Sequence, residues 1–292
     1  MDQFWVNVPP VTKSWSGMKS ITAALISLQR IKLVSLVFIP EKAFGKEFWR
    51  FFTSFCVSKG ISFELMFELF LLRTSSGEVE RNFITNETIL PEYIIDEFDQ
   101  NQHDLLNQFM ERNKAIDYLY FLIQISLSII LLVTLLYYKL GIIIFNLGDL
   151  LCRILTYFDS QNRPNVEIHM FGLFTLRRVY FPWMIALLNI IQSRNIQDDF
   201  IKLIIYGDLS FFNNSTVWFF IISTILGHFW WYCRELLLSK VHYDPIDSRR
   251  HAKRIALQRF GVYKIDLVRM FLMYLFVPPW YWIILSRIKN RR

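Results

Sequence analysis

The side chains able to do chemistry in this chain sit inside strongly apolar stretches. His228 lies within residues 217–237 and is the obvious base. Glu64 and Glu68, spaced i, i+4, share one helix face and resemble a carboxylate pair for acid–base work. The plainer reading, favoured here, is that they line a hydrated cavity or lie near a helix end. Asp149 and Arg153 have the same spacing with opposite charge, so they can pair within one turn. A nucleophile is harder to find. Residues 138–158 contain Thr156 and tyrosines as hydroxyls, no serine, and one thiol, Cys152. Reactivity belongs to the thiolate, so a thiol in apolar surroundings is inert by default. His103, His169, His228, His242 and His251 form no ligand-spaced cluster, and no metal or other cofactor is expected.

The elements that must position these residues read as an all-α membrane protein. Hydrophobic residues make up 53% of the 292 and aromatics 17%, more apolar than an ordinary soluble domain. The apolar residues fall in six blocks near the ~20-residue length that crosses a bilayer. These are residues 21–39, 49–72, 116–138, 140–158, 179–191 and 217–237. Charges at that depth are costly and face protein or water rather than lipid. Glu64, Glu68, Gln124, Asn146, Asp149 and Arg153 therefore suggest a wet groove or a polar core. The fifth block, 13 residues, would cover about 20 Å as a helix, short of a hydrocarbon core near 30 Å. Residues 1–20 are polar with no cleavable signal pattern, so the first block is expected to stay and act as the targeting signal.

Lysine and arginine placement predicts that both termini are cytosolic. From Arg234 onward the chain supplies 13 of its 32 basic residues, including Arg249, Arg250, Lys253 and Arg254. Such a tail suits anionic lipid headgroups, and without stacking motifs it does not suggest nucleic acid. The expected organisation is a cytosolic segment 1–20, a six-helix membrane domain 21–240 with a cytosolic insertion 73–115, and a basic tail 241–292. Pro278-Pro279 and the aromatics Trp280, Tyr281 and Trp282 make 266–286 an interfacial or re-entrant segment rather than a seventh crossing. Of the sequons at Asn86, Asn213 and Asn214, only the last two fall on the expected lumenal side.

Several motifs, in order, carry a family resemblance. They are Phe4-Trp5-Val6-Asn7-Val8-Pro9-Pro10-Val11-Thr12, then Phe48-Trp49-Arg50-Phe51-Phe52-Thr53-Ser54, then Glu78-Val79-Glu80-Arg81-Asn82-Phe83. Asn165 to Leu173 with Phe181-Pro182-Trp183 follow, and Gly227-His228 with Glu235 close the series. The chain resembles a derlin, a catalytically dead relative of rhomboid proteases, and more closely the second, longer fungal derlin. Rhomboid proteases pair a first-loop Trp-Arg and a sixth-helix histidine with a fourth-helix serine, and here that serine is missing. The resemblance implies a six-transmembrane rhomboid-like bundle, with Trp49 and Arg50 disturbing lipid and Ser223, Gly227 and His228 packing the sixth helix. It implies a role in endoplasmic-reticulum-associated degradation, moving misfolded proteins beside a membrane ubiquitin ligase and a cytosolic AAA segregase. Arg259-Phe260-Gly261 matches only part of the segregase-recruiting motif, so an adaptor is expected. The rival readings are an intramembrane protease using Cys152 and a small-solute transporter.

Overall fold

The computed structural model describes residues 8–58, 60–85, 89–95, 97–170, 174–192, 194–207, 211–212, 214–238 and 267–290. Phe4 to Asn7, Phe171 to Leu173, the sequons at Asn86 and Asn213, and the basic run Arg249 to Gly261 lie outside these. The chain divides into two compact units, one from residues 1–83 and 121–230, the other from 84–120 and 231–292.

The first unit opens with α1 (Pro10–Ser27). Proline suits its first position, where the fixed φ is already helical and no amide donor is needed. Pro9 offers no capping side chain; the carboxylate of Glu80 takes its place, accepting from Val11 N at 2.9 Å and Thr12 N at 2.8 Å. The helix stops at Gln29, which adopts a left-handed φ of 56°. The expected first span is thereby corrected: α1 begins 11 residues before residue 21, and residues 28–39 hold only the single turn α2 (Leu33–Leu36). Two more single turns follow, α3 (Pro40–Ala43) and α4 (Arg50–Thr53).

The second span is likewise broken. Gly60 holds φ 117°, which a side chain would resist, and helix resumes only at α5 (Phe63–Leu71), where Ser62 caps Leu65 N at 3.4 Å. It passes through a π turn (Leu72–Ser76) into α6 (Gly77–Asn82). In the second unit α7 (Glu92–Ile95) precedes α8 (Gln100–Leu140), a 41-residue helix that contributes to both units. Gly141 ends it in the left-handed conformation at φ 67°. The fourth helix, α9 (Leu147–Asn162), therefore starts later than residue 140, with Asn146 capping Asp149 N at 3.0 Å. A two-stranded antiparallel ribbon, β1 (Glu167–Met170) and β2 (Phe174–Arg177), pairs Ile168 with Leu176. Then come α10 (Phe181–Gln192), α11 (Arg194–Tyr206) and α12 (Ser215–Trp231), the last continuing as a π turn through Leu238.

Two of these helices, Gln100–Leu140 and Ser215–Glu235, are long and apolar enough to cross a membrane. On α8, Tyr118, Phe121, Ile125, Ile129 and Val133 are buried, while Leu119, Ile123, Leu127, Leu131 and Leu135 are exposed. A helix that is greasy on both its protein face and its outer face is built for lipid. The chain is thus a predominantly helical membrane protein.

The C-terminal segment is a bent pair in the second unit, α13 (Leu267–Phe276) and α14 (Pro279–Lys289). Its two limbs turn by 106° at Pro278-Pro279. Within this unit Asp117 accepts hydrogen bonds from Tyr281 Oη, from Trp280 Nε1 at 3.1 Å and from Thr85 Oγ1 at 2.8 Å. Gln102 Nε2 donates to Ile288 O at 2.9 Å, and Lys289 pairs with Glu97 at 2.7 Å. Residues 84–115 of the expected insertion and the tail fall in one unit, and the buried carboxylate of Asp117, just after the insertion, takes two of its donors from the tail. Replacing Asp117 with Ala should remove those anchors, on the order of 3 kcal/mol for charge-assisted bonds. Limited proteolysis should then cleave around α14 roughly a hundredfold faster than in the unaltered protein.

Candidate functional site

The buried face of α1 is unusual: Thr12, Trp15, Ser16, Lys19 and Ala23 repeat at helical spacing but are mostly polar. Each finds a partner or a tight seat. Trp15 Nε1 donates to Phe55 O at 2.9 Å, Ser16 Oγ to Thr12 O, and Lys19, fully buried, donates to Glu68 Oε2 at 2.8 Å. The other oxygen of Glu68 accepts from Asn146 Nδ2 at 3.2 Å. Asn146 also caps α9, so one ion pair ties α1, α5 and α9 together. Their close approach depends on Gly148, whose amide donates to Ser54 O at 3.3 Å. A Cβ there would stand 2.2 Å from Phe55 O.

On the far side of Asn146 lies a groove of about 550 Å3. Its polar residues include Glu64, Asn146, Asp149 and Arg153, and Phe145, Phe211, Phe212, Phe219 and Phe220 supply aromatic walls. Arg153 donates to Asp149 at 3.1 Å and stacks 5.0 Å over the Phe219 ring. The fold thus brings together four of the six polar residues singled out from the sequence. Glu68 lies behind the groove on the ion pair, and Gln124 is not among the lining residues. The two glutamates are one turn apart yet have different surroundings, which argues against a shared-proton catalytic pair.

The sixth-helix residues pack against α9. A Cβ on Gly227 would meet Tyr157 Cβ at 2.8 Å, so the glycine admits that side chain. Tyr157 Oη then lies 3.3 Å from His228 Nδ1. The hydroxyl presented to the histidine is a phenol rather than the alkyl hydroxyl of a serine. Ser223 turns inward and donates to Phe220 O at 2.8 Å. Cys152 is buried, and its nearest helical neighbour Thr156 donates to its carbonyl at 2.8 Å.

The Trp-Arg pair splits into two roles. Arg50 is buried: its guanidinium donates to Val34 O at 2.7 Å and Val37 O at 2.6 Å and pairs with Glu47. It fastens the segment between α2 and α4 and has no surface to offer lipid, which corrects the reading that grouped it with Trp49. Trp49 is 51% exposed, with Phe44, Phe48 and Phe52 exposed beside it. The other sequence motifs meet near the beginning of α1. Glu80 caps that helix, and Thr12 Oγ1 lies 2.9 Å from Ser76 Oγ. Arg163 bridges Glu78 at 2.9 Å and Asp159, which also holds Arg178 at 2.6 Å. Lys19, Glu80, Tyr157 and Arg178 were missed from the sequence.

Comparison with known proteins follows the same elements. A family model described as the Der1-like family matches residues 8–217. A probable derlin-2 homolog of Dictyostelium discoideum is 24% identical over 200 residues, 68% of each chain. Derlin-1 of Arabidopsis thaliana is 24% identical over 211 residues, 72% of this chain and 67% of its own length. The DER1-like family member protein 1 of Saccharomyces cerevisiae is 23% identical over 181 residues, 62% of this chain and 47% of that one.

Two substitutions test the junction of α1, α5 and α9. Lys19→Met strands a buried carboxylate and should cost roughly 3–5 kcal/mol, whereas Lys19→Met with Glu68→Leu should recover most of it. Gly148→Ala should cost about 2 kcal/mol by forcing the Phe55 carbonyl away. Thermal unfolding in detergent micelles reads both.

Proposed function

We propose that this chain, which belongs to the Der1-like family, is a non-catalytic membrane protein that helps misfolded polypeptides leave the endoplasmic reticulum for degradation. The observation that carries this reading is the groove: charged and amide side chains line a cavity among helices whose outer faces are apolar. An extended polypeptide in hydrocarbon leaves backbone groups unpaired, each costing several kcal/mol, roughly, by the general estimate for such groups. A cavity holding Glu64, Asn146, Asp149 and Arg153 offers donors and acceptors in their place.

Two further features support a locally thinned bilayer. Helix α10 has 12 residues, about 18 Å at ~1.5 Å per residue, and lipid must thin or flanking residues must snorkel to meet such a helix. Trp49, Phe48 and Phe52 present exposed aromatic surface from the segment that Arg50 fastens. In this reading α1, α5 with α6, α8, α9, α10 and α12 are the six crossings, and both termini are cytosolic. The phenol of Tyr157 at His228 supports a scaffold that cuts no peptide bonds. A membrane ubiquitin ligase and a cytosolic AAA segregase, reached through an adaptor, are the partners proposed.

In cells expressing a misfolded membrane reporter, Trp49→Ala combined with Glu64→Ala should slow reporter clearance severalfold while the protein's own level stays unchanged. Unaltered clearance, or reporter cleavage by purified protein that Cys152→Ala or His228→Ala abolishes, would sink the proposal.

A further inference from the structure

The segment between α10 and α12 contains a helix that neither the groove nor the ion pair uses. In α11, Phe200, Ile201, Ile204 and Ile205 are all exposed, and at i, i+1, i+4 and i+5 they form one face. Asp199 and Lys202 lie on the other side, 3.9 Å apart, while Asp198 flanks the apolar face beside Ile205. Four large apolar side chains on one face of a 13-residue helix need a cover.

The chain's own connections say what that cover is. Only Ser193 separates Gln192, the end of α10, from Arg194, and α12 starts at Ser215, eight residues after Gly207 begins the link. Such a link reaches at most about 28 Å fully extended, and the Phe200 ring already touches Phe211 at 5.7 Å between centroids. Since α12 is part of a helix long and apolar enough to cross a membrane, α11 is held beside its end, where water would give way to acyl chains. A helix with one greasy and one polar face lies flat at that boundary.

Charge specifies the kind of surface. Arg194 and Lys202 balance Asp198 and Asp199, so the helix carries no net charge to bring to anionic headgroups. We propose that α11 is an in-plane membrane helix, its Phe200, Ile201, Ile204 and Ile205 face sunk among the acyl chains of electrically neutral lipids. The inference does not depend on the groove carrying a polypeptide; it needs only the membrane placement of α12.

The test uses full-length protein with Cys56→Ser in nanodiscs of phosphatidylcholine, a zwitterionic lipid, with Cys152 and Cys233 left in place because they are buried. An environment-sensitive fluorophore is attached at Phe200→Cys, Ile201→Cys, Ile204→Cys or Ile205→Cys, and at Asp199→Cys or Lys202→Cys. Lipids with brominated chains should quench the first four sites severalfold more than the last two, and replacing part of the phosphatidylcholine with anionic phosphatidylserine should change nothing. Equal quenching at all six sites would overturn the proposal. So would quenching that appears only with anionic lipid and fades in high salt. Sites that stay unquenched in pure lipid but are shielded from water-soluble reagents in native membranes would assign the face to a protein partner and overturn it equally.

Discussion

An ammonium group buried in an apolar bundle must be answered by a carboxylate, and the first unit is organised around that requirement. Lys19 has its answer in Glu68, and Glu68 needs a second donor, which Asn146 supplies. Because Asn146 also caps α9, the pairing fixes where α9 begins and therefore where Asp149 and Arg153 point. Asn146 both donates to the buried ion pair and lines the groove. The polar surface that lines the groove is thus set by an ion pair outside it. Such a pair is seldom a net gain over well-packed apolar residues, but removing either half is costly. Its value lies in register.

The same economy of contacts explains why the aromatic loop is exposed yet well placed. Arg50 donates to Val34 O and Val37 O, tying the turns around Trp49 to the short helix before them. Held that way, Phe44, Phe48, Trp49 and Phe52 can face outward without the segment folding back on itself. A buried guanidinium with several acceptors does what a disulfide would do elsewhere. The second unit uses a related device, with Asp117 collecting donors from Thr85, Trp280 and Tyr281.

How much was legible in the residues divides along physical lines. Helical class, lipid exposure and the two long apolar helices follow from hydropathy, which is local and additive. The pairing of Asp149 with Arg153 follows from i, i+4 spacing. The break at Pro278-Pro279 follows from missing amide donors. By contrast α1 starts earlier than hydropathy predicts, because its buried face is Thr12, Trp15, Ser16 and Lys19, and a rule that seeks apolar residues reads that face as surface. A search for helical periodicity in Thr, Ser, Trp and Lys would have found it. Glu80 as a cap was not visible, since its partner helix lies 69 residues away. Gly60, at positive φ, interrupts an expected helix that the apolar pattern runs straight through, and Gly141 delays the start of the next. Arg50 is buried although its neighbour Trp49 is exposed, because proximity in sequence says nothing about which way a side chain turns.

The Lys19–Glu68 pair also bears on how such a chain is made. The two residues stand 49 positions apart. A first helix handed alone to hydrocarbon would carry an unanswered positive charge until the next one emerged. On the proposed reading, in which α1 and α5 both cross the membrane, the two would enter together as a hairpin already neutral, and the order of synthesis and the order of burial would differ.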